Sequence, residues 1–376
     1  MKNGVVLHVT TSLDFGGVES HLKIIGNNGD LTRFEHRFCA IGRGGAVSEE
    51  LLASGNVVFV LNTLASIPSL IAIIRLIRLI NAERPKILHT HGAEANFHGL
   101  IAGRICRVPV CLAEEIGFPT HSWKARKIFS QVYKLADLVV AISQAVKLKL
   151  IDLAEINSDK CQVLLNPVQM QSQRTGPSVS DRFEIGFVGR LEEVKNPLGL
   201  VRAAAILRDR GIAIGITIVG DGSQRGQLET EVDQLQLYDI VTMAGFDTNP
   251  FQKLAGVNLY VQPSISEGFG LALVEAMSVG IPVLATALGG TTEIITNGET
   301  GWLLSGTDPH SIADGITNCI ALGSVKLENV GQHGRGSVIE RFTPAVYLRN
   351  LDKLYDQFLA RKEKEITAWC KVIGHK

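Results

Sequence analysis

No two cysteines in this chain form a CxxC pair, and its ten histidines make neither an HExxH nor an HxxxH array. A zinc site or a paired-thiol redox centre is therefore not written into the sequence. The six cysteines (Cys39, Cys106, Cys111, Cys161, Cys319 and Cys370) are scattered and read as single buried thiols of a reducing compartment. No apolar run approaches the length of a clean transmembrane helix. The opening residues, MKNGVVL, enter a strand pattern without the apolar core of a signal peptide. Net charge is missing too: 37 Lys+Arg balance 37 Asp+Glu, which excludes a strongly basic nucleic-acid binder. Together these absences lead us to expect a cytoplasmic protein.

What is present is apolar material for more than one core. At 376 residues and 45% hydrophobic content, two α/β domains are expected. Residues 1–168 carry 18 basic against 14 acidic side chains, and residues 169–376 carry 19 against 23. The basic half could face an anionic membrane or a phosphorylated acceptor. Short β-branched runs alternate with helical patterns from Val5 onward, the mark of a parallel sheet with helices on its faces. Residues 169–181, QMQSQRTGPSVSD, break the alternation and read as a linker. The pattern restarts at Phe183, runs to about 343, and ends in a long charged helix from Pro344, with Trp369 and Ile373 in its tail. The expected division is a first Rossmann-like domain over 1–168, the linker, a second domain over 182–343, and a helical segment over 344–376.

The stretch LIAIIRLIRLI at 70–80 admits two readings. One is a membrane-surface helix with Arg75 and Arg78 snorkelling; the other is a helix buried between the sheet and its neighbours. Being apolar almost all round, it favours the buried reading.

Candidate site residues fall just after predicted strands, where open α/β sheets bind ligands. Around Ser264–Gly270 a small, glycine-rich loop leads into a helix that opens near Gly270. Unpaired backbone N–H groups at such a helix start offer a seat for a diphosphate. Glu267 stands at the loop mouth, and Glu275, in the second helical turn, can accept hydrogen bonds from hydroxyls. Arg190 and Lys195 lie in the loop after the first strand of this domain, before Pro197 starts a helix, and two cations there suit phosphate. Gly220 belongs to another strand-end turn, and Gly245 with Phe246 could wall a base pocket. In the first domain, Gly16-Gly17 opens a helix and either cradles a ligand or simply makes a turn. His91 ends the strand ILHTH, where an imidazole could hold a sugar hydroxyl. Glu114 and Glu115 follow the fifth strand and could touch an acceptor.

As a set these motifs resemble the retaining GT-B glycosyltransferases with the Glu-x7-Glu signature. The resemblance rests on Gly16-Gly17-Val18-Glu19, His89-Thr90-His91, Gly189-Arg190 with Lys195-Asn196-Pro197, Gly220-Asp221-Gly222, and Glu267 through Glu275. It implies two Rossmann-like domains facing each other across a cleft, with the C-terminal helix returning to the first. It also implies that Arg190 and Lys195 grip the donor diphosphate, Glu267 the transferred sugar, and Glu275 the ribose. The backbone of Phe269, Gly270 and Leu271 would bind sugar and phosphate. Glycines 16 and 17 would approach donor or acceptor, and His91 a sugar hydroxyl.

No metal or other cofactor is expected from this resemblance. The partners it implies are a nucleotide-sugar donor and a saccharide or lipid-linked acceptor, with peripheral membrane contact through the first domain and no nucleic acid. The Glu114-Glu115 segment lacks a histidine that many relatives show nearby, so acceptor handling could differ. Two alternatives stay open: a sugar-nucleotide epimerase of GT-B type, and a catalytically silent GT-B subunit.

Overall fold

A computed structural model describes residues 2–14, 16–177 and 180–373, without side chains at 366 and 368–373. Trp369, Cys370 and Ile373 of the expected tail thus fall outside the described side chains. Two compact units emerge: residues 1–167 with 344–376, and residues 168–343.

The first unit alternates β1 (Val5–Thr10), α1 (Gly17–Asn27), β2 (Glu35–Ala40), α2 (Ala46–Ala53), β3 (Val57–Val60), α3 (Leu70–Glu83) and β4 (Ile87–His91). It continues with α4 (Ala93–Ile105), β5 (Val110–Glu115), α5 (Trp123–Val132), β6 (Leu138–Ala141), α6 (Gln144–Asp152) and β7 (Cys161–Val163). The second holds β8 (Phe183–Val188), α7 (Pro197–Asp209), β9 (Ile214–Val219), α8 (Arg225–Gln234), β10 (Val241–Gly245), α9 (Pro250–Lys253), β11 (Leu259–Gln262) and α10 (Leu271–Ser278). It closes with β12 (Val283–Thr286), α11 (Thr291–Ile294), β13 (Trp302–Leu304), α12 (Pro309–Ala321) and α13 (Ser324–Arg341), after which α14 (Pro344–Ile373) returns to the first unit.

The sheets are parallel, with orders β3-β2-β1-β4-β5-β6-β7 and β10-β9-β8-β11-β12-β13. Each order reverses once, between β1 and β4 and between β8 and β11, and at such a reversal the flanking loops diverge and leave room for a ligand. Right-handed crossovers send the helices of the two directions to opposite faces. In the first unit α3 packs on α4 and α4 on α5, whereas α1 packs on α2 and α14. The core beneath α1 and α14 holds Val6, Leu22, Phe34 and Phe38 against Tyr347, Leu351, Tyr355 and Phe358. Each such buried side chain contributes roughly 1.5–3 kcal/mol. Asp352 of α14 is buried and accepts from Thr32 Oγ1 at 2.6 Å and from the Arg33 backbone N–H at 2.9 Å, so the returning helix is keyed as well as packed.

Two segments differ from expectation. The helix over 70–83 is buried only along Ala72, Leu76 and Ile80, while Leu70, Ile71 and Ile74 are exposed. A fully buried α3 is thus corrected: a helix on the outer layer has only one stripe to bury, whatever its composition. The described residues of the polar stretch after 168 form neither helix nor strand, and the stretch is fastened to the second unit. Arg174 donates through its backbone N–H to Val279 O at 3.0 Å and through its guanidinium to Val257 O and Glu328. Cys39, Cys111, Cys161 and Cys319 are buried free thiols and Cys106 is partly exposed.

Candidate active site

In the second unit the loops that diverge at the β8/β11 reversal are tied to one another. Lys195 Nζ lies 2.6 Å from Glu267 Oε2, and the Ile265 N–H donates to Val194 O at 2.9 Å. Asn196 caps α7 by accepting from the Gly199 N–H at 3.2 Å, and its Nδ2 donates to Pro263 O and Thr307 O. Beside these bonds, Gly220 packs against Gly189 so closely that a Cβ would run into the Gly189 carbonyl oxygen. Its φ of +148° also suits glycine. Leu191 N–H then donates to Asp221 O at 2.9 Å, which interlocks the loops after β8 and β9. Arg190 sits at the surface of this frame.

Glu267 is 7% exposed and collects three donors on one oxygen: Lys195, Gln262 Nε2 at 3.1 Å and Ser264 Oγ at 3.3 Å. Its Oε1 has no partner among the described residues. Gln262 and Ser264 are contributors that the motif reading left without a role. They stand in the same short stretch, and only the strand–loop geometry shows them turning onto Glu267. Beneath them the buried Tyr260 hydroxyl donates to Val188 O at 3.2 Å, and its ionisation is pushed well up by burial and then by the charges of Glu267 and Glu275. Both carboxylates therefore act on one spot.

The helix α10 starts at Gly270, whose φ of +108° places it in the left-handed region. No side chain caps this end, so its first N–H groups stay available to an anion. Phe269 anchors the turn, 3% exposed and edge-on to Phe342 with ring centroids 5.9 Å apart. Leu271 opens the helix with its side chain half-buried. In the second turn, Glu275 is raised to about 7 by burial alone, and its carboxylate has no side-chain partner among the described residues. Gly245 ends β10 and accepts from the Gly220 N–H at 2.9 Å; Phe246 beyond it is 60% exposed.

The first unit places its predicted residues differently. His91, Glu114 and Glu115 are 1%, 0% and 4% exposed, so the expectation that they open toward a ligand is corrected. For His91 and Glu114 the physical reason is a layer of histidines between the sheet and the helices α1 and α14, whereas Glu115 turns to the opposite face, toward Asn96 of α4 and Tyr133. His36 Nδ1 meets His8 Nε2 at 2.8 Å, and His8 Nδ1 meets His91 Nε2 at 2.9 Å. His91 Nδ1 lies 2.5 Å from Glu114 Oε2, with His89 Nε2 at 3.5 Å and His21 Nδ1 3.9 Å from the other oxygen. Burial alone would raise Glu114, but His21 and His91 hold it down to about 2. Glu115 is raised to about 7, chiefly by burial, and accepts from Tyr133 and from Asn96 Nδ2 at 2.9 Å.

At the start of α1, Gly16 is approached by the chain's own Glu19 carboxylate, which also accepts from Ser12 at 3.0 Å. The helix start at Gly17 thus already faces an anion of the protein.

Two triads among the described residues bring possible metal ligands within 4.8 Å of one another: His8–His89–His91 and His21–His91–Glu114. Nitrogens on one tetrahedral zinc stand roughly 3.3 Å apart, given bonds of about 2.0–2.1 Å. The His8–His91 separation of 2.9 Å is that of a hydrogen bond, so in the first triad those two nitrogens are spent on each other.

Comparison with known proteins covers both units. A family model described as glycosyltransferase family 4 matches residues 15–172, and one described as glycosyl transferases group 1 matches residues 169–336. The capsular polysaccharide biosynthesis glycosyltransferase CapM of Staphylococcus aureus is 26% identical over 78% of this chain and 82% of its own length. An Escherichia coli UDP-Gal:alpha-D-GlcNAc-diphosphoundecaprenol alpha-1,3-galactosyltransferase is 25% identical over 77% of this chain and 79% of its own. Among solved structures, Anabaena HepE in complex with UDP superposes with a TM-score of 0.81 at 21% identity, over 95% of this chain and 100% of that one. That likeness speaks for the fold, and the family models speak for the sequence on either side of the unit boundary. The chain belongs to the GT-B glycosyltransferases whose two halves these group 1 and family 4 models describe.

Proposed function

We propose that this glycosyltransferase retains anomeric configuration, works without a metal, and takes a UDP- or GDP-sugar as donor. Its acceptor is a saccharide or lipid-linked saccharide in the making of a bacterial cell-surface polysaccharide or lipopolysaccharide. One observation carries the donor reading: two unlike carboxylates flank a single uncapped helix start. Glu267 is oriented by Lys195, Gln262 and Ser264 with Oε1 to spare, and Glu275 is alone. A sugar, a diphosphate and a ribose diol bound in a row would use each of these groups. The named relatives lend the acceptor class, since one acts on a diphosphoundecaprenol-linked sugar and another serves capsular polysaccharide.

In the proposed reaction the bond from sugar C1 to the diphosphate oxygen breaks, and the leaving group takes the electron pair. The acceptor oxygen bonds to C1 on the same face, and its proton passes to the departing diphosphate. Arg190, Lys195 and the N–H groups at Gly270–Leu271 offset the growing negative charge, in the place a divalent cation would otherwise fill. Glu267 holds the sugar hydroxyls so that the oxocarbenium-like ring is positioned rather than protonated. Glu275 accepts from the ribose. Phe246 and Gly245, at the end of β10, border the base.

A thermal-shift panel of UDP-, GDP- and ADP-sugars tests the donor, and binding of none would overturn the reading. Product NMR on the bound donor–acceptor pair then reads the anomeric configuration, where inversion would reject retention. Conversion of donor in the absence of acceptor would identify an epimerase instead. Loss of rate in EDTA, restored by magnesium, would reject metal independence.

A further inference from the structure

With Glu114 and Glu115 buried, the carboxyl edge of the first sheet still presents polar groups to water, on loops that leave neighbouring strands. Thr11 follows β1, Glu94 lies in the first turn of α4 after β4, and residues 116–122 lead from β5 to α5. Strands β1, β4 and β5 are adjacent, at the reversal of order where a ligand finds room. Thr11 Oγ1 donates to Glu94 Oε2 at 3.3 Å, and the Glu94 Oε1 has no partner among the described residues.

His121, near the end of the β5–α5 loop, is built into this edge. Its Nδ1 lies 2.8 Å from Oε1 of Glu155, a carboxylate only 3% exposed. The ring stacks on Phe129 of α5, with centroids 4.2 Å apart and planes inclined by 7°. Arg126 Nε donates to the His121 carbonyl at 3.1 Å, and Ser122 caps α5. A carboxylate on Nδ1 draws the N–H to that side, so a neutral ring turns the Nε2 lone pair outward. A charged ring turns an N–H outward at the same place. This Nε2 has no partner among the described residues and, unlike the orphaned Glu155 Oε2, is not cut off from water. Burial alone would lower the ionisation of His121. The hydrogen bond and charge of Glu155, then the charges of Glu115 and Glu94, carry it above its ordinary value. Glu94 thus stands close enough for its field to act on the ring.

We propose that His121 is a specificity-determining residue for the acceptor, its Nε2 and the Glu94 carboxylate holding sugar hydroxyls beside the one that reacts. Glu155 is the positioning residue behind it. The inference rests on the reading that the acceptor is a saccharide, and the reacting hydroxyl itself stays with the departing diphosphate. Two features select this ligand class. A hydroxyl both donates and accepts, so it meets Nε2 in either protonation state. The carboxylates of Glu94 and Glu155 would repel a phosphate, and the cations next in sequence, Lys124 and Lys127, are held over the Trp123 ring.

The test is saturation-transfer NMR of the full chain with p-nitrophenyl α- and β-glucosides, galactosides and N-acetylglucosaminides, the best-bound probe being carried into the variants. His121→Gln keeps a polar group near the position of Nε2, and His121→Asn keeps one near that of Nδ1. His121→Gln should hold the probe within about threefold of the parent. His121→Asn should lose roughly tenfold or more, as should Glu94→Ala, the size of one hydrogen bond to an ionisable group. Glu155→Leu should weaken binding, and Glu155→Gln, which still accepts from Nδ1–H, should restore it. Circular dichroism and the thermal shift given by a nucleotide sugar should be unchanged in every variant.

Glycoside binding that is weakened as much by His121→Gln as by His121→Asn, unmoved by both, or absent from the parent chain would overturn the proposal. So would displacement of the glycoside by inorganic phosphate beyond that by chloride of equal ionic strength. A missing thermal shift with every nucleotide sugar, beside the expected pattern of glycoside binding, would strike the donor reading and leave the role of His121 standing.

Discussion

Glu114, fully buried in the first unit, and Glu275, partly exposed in the second, are both carboxylates drawn back from water, and their surroundings give them opposite behaviour. Around Glu114 stand His21, His89 and His91, and the acid is held down to about 2 against the effect of its burial. No charged group among the described residues accompanies Glu275, and burial lifts it to about 7. A carboxylate ringed by the protein's own imidazoles belongs to the interior of the fold. One left without partners is poised for a ligand that brings its own hydroxyls. The two units thus separate a stabilising polar interior from a receptive one.

Acid should break the comparison most severely. His21 and His36 are both lowered from 6.5 to about 4, chiefly by burial, only partly offset by Glu114 and Asp352 respectively. Bases kept neutral in the fold but free to protonate in the open chain make the unfolded state bind more protons below pH 6.5. Stability of the first unit therefore falls as pH drops from about 6.5 toward 4, and is fully present above that window. Glu114 adds a further loss only below the ordinary carboxylate range, toward 2. Hydrogen exchange from pH 7 to 4.5 should show first-unit amides opening before those of the second unit, whose His310 and His333 are exposed.

Next in size, Glu114→Ala leaves buried imidazoles that are neutral near pH 7 facing the space of a lost acceptor. Urea unfolding should register a loss of about 1–3 kcal/mol, as for buried polar groups left unpaired. The counterpart in the second unit, Glu267→Ala, should act on turnover instead. We expect kcat/KM to fall roughly 100-fold or more, with the urea midpoint little changed, since the group acts mainly on substrate. A large stability loss with intact turnover would reverse the roles assigned to the two carboxylates.

The smallest effect concerns Glu275. Its raised pKa means that the free protein protonates it as pH falls through about 7, while a carboxylate is the better acceptor for ribose hydroxyls. Donor affinity should rise several-fold from pH 6 to pH 8, with proton release on binding measurable by calorimetry in buffers of different ionisation enthalpy. In Glu275→Gln the affinity should be lower and flat with pH.

Legibility in the sequence follows how local each feature is. Strands such as Val5–Thr10 and Phe183–Val188 announce themselves through β-branched runs, and the double winding follows from their alternation with helices. The grouping of Lys195, Glu267 and the start of α10 was readable because each falls in a loop directly after a strand. The histidine layer was not. His8, His21, His36 and His89 look scattered until parallel register sets His8 opposite His89 and leaves His36 two positions along the same face. A search for histidines at matching depth in successive strands would have found it. Uniformly apolar composition also concealed which side of α3 turns inward, because periodicity needs polar positions to show a phase.

The last helix carries a consequence for the order of events. Tyr347, Leu351, Tyr355 and Phe358 complete the core of the unit that begins the chain, and the Tyr355 hydroxyl reaches His89 Nδ1 at 2.9 Å. A ribosome delivers the first sheet early and this wall last, after the whole of residues 168–343. Until then the histidine layer lacks its cover, so the second unit, continuous in sequence, is free to reach its native state during synthesis while the first waits for release. Nascent chains stalled just past residue 343 should therefore protect the second unit from protease and leave the first one open.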